Sequence, residues 1–262
     1  MDISILNLSD IPAKISNQEY ETGVEELRKM WYIIRDYLSE NEDIDRNVST
    51  FNNILSSDEN SCILFSSWWN SAINYIKKIN TNDIKWTNIL LWFSDILHIF
   101  SVFDKVENVF CLYGPTLRNI WDLSINEKKN LNSFISNQAL EFEIQQVMWW
   151  DEYHCKIFGG HALIFSQLFE YFNFEMEWGL LFLEFHWMEE YLIKYILNVL
   201  NLKWVFSKIK WVILNQWVEP WIIEYLKSLD MHSIYLLNDV SLIPLYKDVT
   251  ISSWKLLMGN SV

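Results

Sequence analysis

Ser94 stands where an apolar run, Asn88 to Phe93, hands over to a helical pattern that opens at Asp95. A hydroxyl at such a strand-to-helix elbow meets the free amides and the positive dipole end of the helix. That is the setting in which a serine nucleophile is presented beside an oxyanion site. A serine that only caps its helix occupies the same place, and Trp92 is bulky for an elbow that normally wants glycine. Glu184 is the second residue with chemical promise. It closes the apolar run LLFLEF, where a carboxylate stays charged only if it is paired or hydrogen-bonded. Active sites collect at the carboxyl ends of strands in α/β sheets, although position alone favours a structural ion pair for this glutamate. The histidines at 98, 154, 161, 186 and 232 are scattered and lack metal-ligand spacing, so each reads first as a satisfied core or surface group. Glu189 and Glu190 read as the solvated face of a helix. Cys62, Cys111 and Cys155 sit singly in apolar segments, which suits buried thiols in a reducing compartment rather than a disulfide framework or a zinc site. No Gly-rich phosphate loop of the usual spacing is present, so no cofactor is expected.

Positioning such residues takes repeated βα units, and the hydropathy pattern supplies them. Short apolar blocks alternate with helical periodicity, which predicts a mostly parallel sheet. Ile3 to Leu8 reads as the first strand, followed by a helix from about Glu19 to Leu38 capped by Asn17. A helix around Val48 to Leu55 precedes the strand Cys62 to Ser66. A polar turn, SSWWNS, then leads into a helix through Ile79. The strands Asn88 to Phe93 and Asn108 to Tyr113 flank the helix Asp95 to Phe103, and Gly114 and Pro115 close the series. Residues 118–151 are more polar and read as a linker. They separate an N-terminal parallel-sheet domain of the Rossmann or flavodoxin-like type, 1–117, from a C-terminal α/β domain, 152–262. The second domain opens with Lys156 to Phe158, Gly159, Gly160 and the helix His161 to Phe172. It continues with the strand Leu180 to Phe185, a helix to Leu200, the strand Val212 to Leu214, a helix through Leu229, and short strands to Met258.

Acidic residues number 34 against 20 basic ones, a formal charge of −14, so the long-range field repels nucleic acid and anionic lipid. The start, MDISILNL, has no basic segment ahead of its apolar stretch, and Gly179 to Leu200 carries Glu184, Glu189, Glu190 and Lys194. Neither a signal peptide nor a membrane span is expected, and the chain reads as cytoplasmic. One anomaly stands out: 15 tryptophans against 6 glycines. Glycine ordinarily makes up roughly 7 per cent of a chain, about 18 residues at this length, and the glycine and tryptophan counts together come close to that. The counts read either as an aromatic-rich core, which composition alone favours, or as glycine positions occupied by tryptophan, as when a stop codon that the host assigns to glycine is translated as tryptophan.

Taken in order, these segments resemble the LD-carboxypeptidase family, which includes relatives that give immunity to microcin C. The resemblance runs from about Ile11 to Met258. The family's Gly-Gly turn is matched by Trp68-Trp69, its Gly-Tyr-Ser-Asp by Trp92-Phe93-Ser94-Asp95, and its His-Gly-Pro by Tyr113-Gly114-Pro115. Its Gly-Gly-Asn-Leu is matched by Gly159-Gly160-His161-Ala162, and its Leu-Glu-Asp with a nearby acid by Leu183-Glu184-Phe185 with Glu189. The stretch from Trp204 to Trp211 is similar to Gly-Val-Leu-Asp-Lys-Val-Ala-Gly. Trp68, Trp69, Trp92, Trp187, Trp204, Trp211 and Trp254 all fall where the family has glycine, which strengthens the glycine reading of the composition.

The resemblance implies a Ser-His-Glu triad in which Ser94 attacks, a histidine relays the proton and Glu184 orients the histidine. The backbone amides of Asp95 and of the turn at Trp68 and Trp69 would then hold the oxyanion, with Gly159 and Gly160 beside the substrate. It implies a murein peptide as substrate and a homodimer as the assembled form. The family's histidine precedes a Leu-Pro-Leu-Gly segment that looks like Ile243-Pro244-Leu245-Tyr246. That places it near Leu236 to Asp239, where this chain has none. His232 falls at the start of the preceding strand, and His186 shares a strand face with Glu184. Three readings follow: a serine LD-carboxypeptidase, a non-catalytic homologue that binds a peptide, and an amidase acting on a toxic peptide conjugate.

Overall fold

The computed structural model describes residues 2–6, 16–37, 44–65, 76–82, 84–92, 97–137, 140–146, 153–168, 179–185, 188–215, 218–231, 234–237, 242–252 and 255–258. The chain divides into two compact units, 1–138 with 241–244, and 139–240 with 245–262. The fold is α/β with two domains, as the sequence predicts.

The first unit is a six-stranded sheet. Its core strands are β1 (Asp2–Leu6), β2 (Ile33–Asp36), β3 (Ser61–Phe65), β4 (Asn88–Trp92) and β5 (Val109–Tyr113). They lie in the order β2-β1-β3-β4-β5, all parallel, and β11 (Ile243–Leu245) adds to the far side of β5. This is the flavodoxin-like order, in which the chain reverses direction across the sheet between β1 and β3. Every residue of β3 is buried, which is what a parallel strand covered on both faces requires, and explains why SCILF reads as a continuous apolar run rather than an alternation.

Helix α1 (Asn17–Lys29) is shorter than its sequence pattern suggests. Ser16, not Asn17, is its cap: the Ser16 hydroxyl accepts from the Glu19 amide at 3.2 Å, and the Glu19 carboxylate accepts from the Ser16 amide at 2.9 Å. The helix stops because Trp31 takes a left-handed conformation, φ 69°, and the Tyr32 amide donates back to the Leu27 carbonyl at 3.2 Å. The residues after it, read as helix to Leu38, form the edge strand β2, whose β-branched Ile33 and Ile34 favour extension. That strand is mostly exposed, so it lacks the apolar signal of its neighbours. Gly23 faces the 3-10 turn Leu117–Asp122, where an added Cβ would lie 2.2 Å from the Leu117 carbonyl oxygen.

The stretch read as a linker holds ordered structure. Helix α4 (Ile125–Asn137) buries Leu131, Phe134 and Ile135, and β6 (Leu140–Gln146) belongs to the second unit's sheet. A capping box marks the start of α4. The Glu127 amide donates to the Ser124 hydroxyl at 3.2 Å, and the Glu127 carboxylate accepts from the Ser124 amide at 2.6 Å.

The second unit is a closed barrel in the order β10-β6-β13-β12-β7-β8-β9. Its parallel half comprises β7 (Tyr153–His161), β8 (Gly179–Glu184), β9 (Ile209–Asn215) and β10 (Ile234–Leu237). The other half, β6, β12 (Asp248–Ser252) and β13 (Lys255–Met258), is antiparallel and closes the barrel, which removes the sheet edges. Helices α5 (Ala162–Leu168), α6 (Glu190–Leu202) and α8 (Pro220–Ser228) link the parallel strands. Leu180, Leu181, Phe182 and Leu183 are fully buried, each such side chain contributing about 1.5–3 kcal/mol of burial.

Candidate active site

In an open parallel sheet, ligands bind outside the carboxyl ends of the strands, near the point where strand order reverses. In the first unit those ends are Leu6, Phe65 and Trp92, so the loops that follow β1, β3 and β4 are the ones to inspect. Ser94 and Asp95 follow β4 directly, and Trp68 and Trp69 follow β3; all four lie outside the described residues. Their parent strands are described. β4 pairs with β3 on one side and with β5 on the other, ending at Trp92 opposite Tyr113. The sequence therefore delivers Ser94 two residues beyond a central, buried strand. The helix after it is described from Leu97, as α3 (Leu97–Val102).

The second unit carries Glu184, the acid that the resemblance would assign. Glu184 is the last residue of β8 and is 4 % exposed. Its register partner on β7 is His161. Gly159 and Gly160 precede that histidine with φ of 114° and 128°. A Cβ at Gly159 would lie 1.9 Å from the Phe182 carbonyl oxygen, so glycine is needed for β7 to approach β8 this closely. His161 is partly exposed, while its Nδ1 is buried.

The strand order also locates the segment, 236–239, in which the resemblance expects a histidine. β10 ends at Leu237, and Leu237 pairs with Asn215 at the end of β9. The 236–239 segment thus starts on the rim that carries Glu184, two strands away, with Leu236 and Leu237 inside β10 and residues 238–239 outside the described set. His232 and His186 also lie outside it. His98 is 1 % exposed in α3. Tyr246, which stands where the related motif has glycine, has φ 59° and is buried against Phe158 with ring centroids 6.1 Å apart. The backbone there keeps the conformation that glycine favours.

Neither Cys62 nor Cys155 offers a thiolate. Burial pushes the Cys62 thiol up, and pushes that of Cys155 up to about 12, far from the range of a reactive nucleophile. Among the described residues no cluster of histidine, cysteine, aspartate or glutamate has the makings of a metal site, and no helix is long and apolar enough to cross a membrane. A cavity of about 360 Å³ opens at the other end of the first sheet, beside Asp2 and Ser61, where β1 and β3 begin. Arg35 is pinned there between Asp2, at 2.6 Å, and Glu59, at 3.3 Å, so its charge is already neutralised. It is a polar cleft at the amino ends of the strands, away from the rim where chemistry collects.

Comparison with known proteins rests on three-dimensional likeness: no protein-family model and no curated protein sequence matches the chain. Among solved structures, the microcin C7 immunity protein MccF in complex with glutamyl sulfamoyl guanosine superposes with a TM-score of 0.79 at 13% identity, covering 99% of this chain and 96% of that one. A muramoyltetrapeptide carboxypeptidase from Oxalobacter formigenes gives 0.77 at 11% identity, with 99% of both chains covered. An MccF-like protein from Bacillus anthracis str. Ames gives 0.75 at 14% identity, covering 98% and 96%. The chain has the fold of these proteins over nearly its whole length.

Proposed function

We propose that this chain is a serine hydrolase of the LD-carboxypeptidase type, cleaving the amide before a terminal D-amino acid in a murein peptide. The observation that carries the reading is the combination of fold and motif order. The chain shares its fold with a muramoyltetrapeptide carboxypeptidase and with MccF, and Ser94 and Glu184 fall at the carboxyl ends of parallel strands, where the resemblance assigns nucleophile and acid. Ser94 Oγ attacks the carbonyl carbon, and the amides of Asp95 and of the Trp68-Trp69 turn stabilise the oxyanion. The C–N bond then breaks, the D-amino acid leaves, and water releases the acyl group from serine. A homodimer in the cytoplasm is the working form under this reading.

The absent histidine at 236–239 supports a second reading, a homologue that keeps the fold and binds a peptide without cutting it. Hydrolysis of a murein tetrapeptide by the full chain, followed as D-Ala release, separates the two. The same chain carrying glycine at Trp68, Trp69, Trp92, Trp187, Trp204, Trp211 and Trp254 is assayed alongside, with Ser94→Ala as control. Release that Ser94→Ala abolishes is the expected result. Absence of release from folded protein in both forms favours the binding protein, and release of an amino acid from a peptidyl nucleotide conjugate instead favours an immunity-type amidase.

A further inference from the structure

We propose that the cavity at the amino ends of β1 and β3 is a binding site for a small, neutral, polyhydroxylated molecule, a single sugar ring or a polyol of that size. Its described lining belongs to the first unit alone, and the inference does not depend on the hydrolase reading.

The sheet face that floors this cavity is polar where a parallel sheet covered on both sides is ordinarily apolar. Along β1, Ile3 and Ile5 point to one face and are fully buried, while Asp2 and Ser4 point to the other. Ser4 pairs with Arg35 on β2, so the two side chains stand next to each other on that face. The opposite wall is helix α2 (Ile44–Leu55), which turns Thr50, Asn53 and Ile54 to the cavity. Ser4 lies on a strand paired on both sides and is 5 % exposed, yet among the described residues its hydroxyl has no hydrogen-bond partner. A buried hydroxyl beside a cavity of about 360 Å³ is a group that a ligand would satisfy. That volume stands at the lower end of the range of about 300–1,000 Å³ for small-molecule pockets, which suits one ring.

The charges select against ions. Arg35 Nε donates to Asp2 Oδ2 at 2.7 Å, one terminal nitrogen lies 2.6 Å from the same oxygen, and the other lies 3.3 Å from Glu59 Oε1. An anion would have to displace one carboxylate and face the other, and a cation would stand against the guanidinium. An apolar ligand would strip water from Ser4 and Arg35 without replacing its hydrogen bonds. What the walls offer is donors and acceptors interleaved. The carboxylates of Asp2 and Glu59 accept, Arg35 has N–H groups beyond those three contacts, and Ser4, Thr50 and Asn53 both donate and accept. Hydroxyl groups, which also do both, match that mixture, and Tyr37 supplies aromatic surface for the C–H face of a ring. The walls are held in advance. Ser61 donates to the fully buried Asn88, whose amide nitrogen donates to the carbonyls of Trp86 at 2.9 Å and of Leu55, the last residue of α2, at 3.3 Å. This ties the end of α2 to the sheet and fixes the gap between the walls, which keeps the ordering cost of binding low.

The test follows amide NMR shifts of the isotope-labelled full chain during titration with glucose and N-acetylglucosamine as ring sugars and sorbitol as an open-chain polyol. Inorganic phosphate and ethanolamine serve as charged controls. Saturable shifts centred on β1, the start of β3 and α2, with a Kd of about 1–10 mM, are expected for at least one neutral probe. Tighter binding of a sugar than of sorbitol assigns the site to ring sugars, and the reverse assigns it to open-chain polyols; either supports the proposal. Ser4→Val and Asn53→Ala remove polar groups from opposite walls, and each is expected to weaken that binding by about tenfold. Asn53 is exposed on its helix, where alanine favours the fold, so this variant reports even where Ser4→Val disturbs the sheet. Binding that folded Asn53→Ala and Ser4→Val leave within about twofold overturns the proposal. So does the absence of saturation by every neutral probe below about 100 mM, or tighter binding of phosphate or ethanolamine than of any neutral probe.

Discussion

Gly159 is the residue on which the geometry of the second unit turns. Its φ of 114° and the 1.9 Å approach of an added Cβ to the Phe182 carbonyl oxygen leave no room for a side chain, and the atom it would meet is backbone. Gly159→Ala is expected to destabilise the chain by about 3 kcal/mol or more, since a positive φ strained by about 1–3 kcal/mol is joined by a clash that only strand separation relieves. Denaturant melts of the two proteins check this, and a change below about 1 kcal/mol would show that β7 can shift without cost. The same residue shows how far a motif carries. Gly159-Gly160 is visible in sequence as a pair, yet its purpose, bringing β7 against β8 at the end where Glu184 stands, depends on a strand that begins about twenty residues later.

At the scale of elements, three helices end alike. After α1, α6 and α8 the next residue but one is left-handed: Trp31 at φ 69°, Trp204 at φ 60° and Asp230 at φ 63°. Glycine is the usual occupant of this position because a Cβ there costs about 1–2 kcal/mol. Trp31 is 93% exposed and Trp204 71% exposed, so neither indole recovers that cost by burial. Trp31→Gly and Trp204→Gly are each expected to stabilise the chain by about 1 kcal/mol, read as additive increases in thermal midpoint. Loss of stability in both would argue that the tryptophans are native to these sites. Together with the glycine deficit of the composition, the two termini support glycine as the residue in the host, and mass spectrometry of protein from that host reads it directly. Trp211 differs: it is 1% exposed and packs edge-on to Tyr153 at 4.2 Å, so the barrel accommodates its indole.

At the scale of the molecule, the path of the chain ties the two units together in sequence. After leaving the barrel at β10, the chain contributes β11 to the sheet of the first unit and returns to supply β12 and β13 to the barrel. A chain truncated after Val240 therefore loses an outer strand from one sheet and two wall strands from the other. It is expected to express as insoluble or molten protein, with broadened NMR resonances and no cooperative melt. A sharp, native-like melt of the truncated chain would show that neither sheet depends on its C-terminal strands.

The sequence by itself determined the alternation of strands and helices, the parallel sheet of the first unit, and the residues worth testing, because buried parallel strands such as SCILF and LLFLE are written in local composition. It misplaced what local pattern carries weakly. The exposed edge strand β2 has few buried positions to betray it. Helix α4 looked like linker although its Ser124–Glu127 capping box was there to be read. Only the tertiary structure set His161 in register beside Glu184. Register between strands is set by packing and hydrogen bonding across the sheet, and no spacing along one chain encodes that His161 and Glu184, 23 positions apart, end neighbouring strands at the same level.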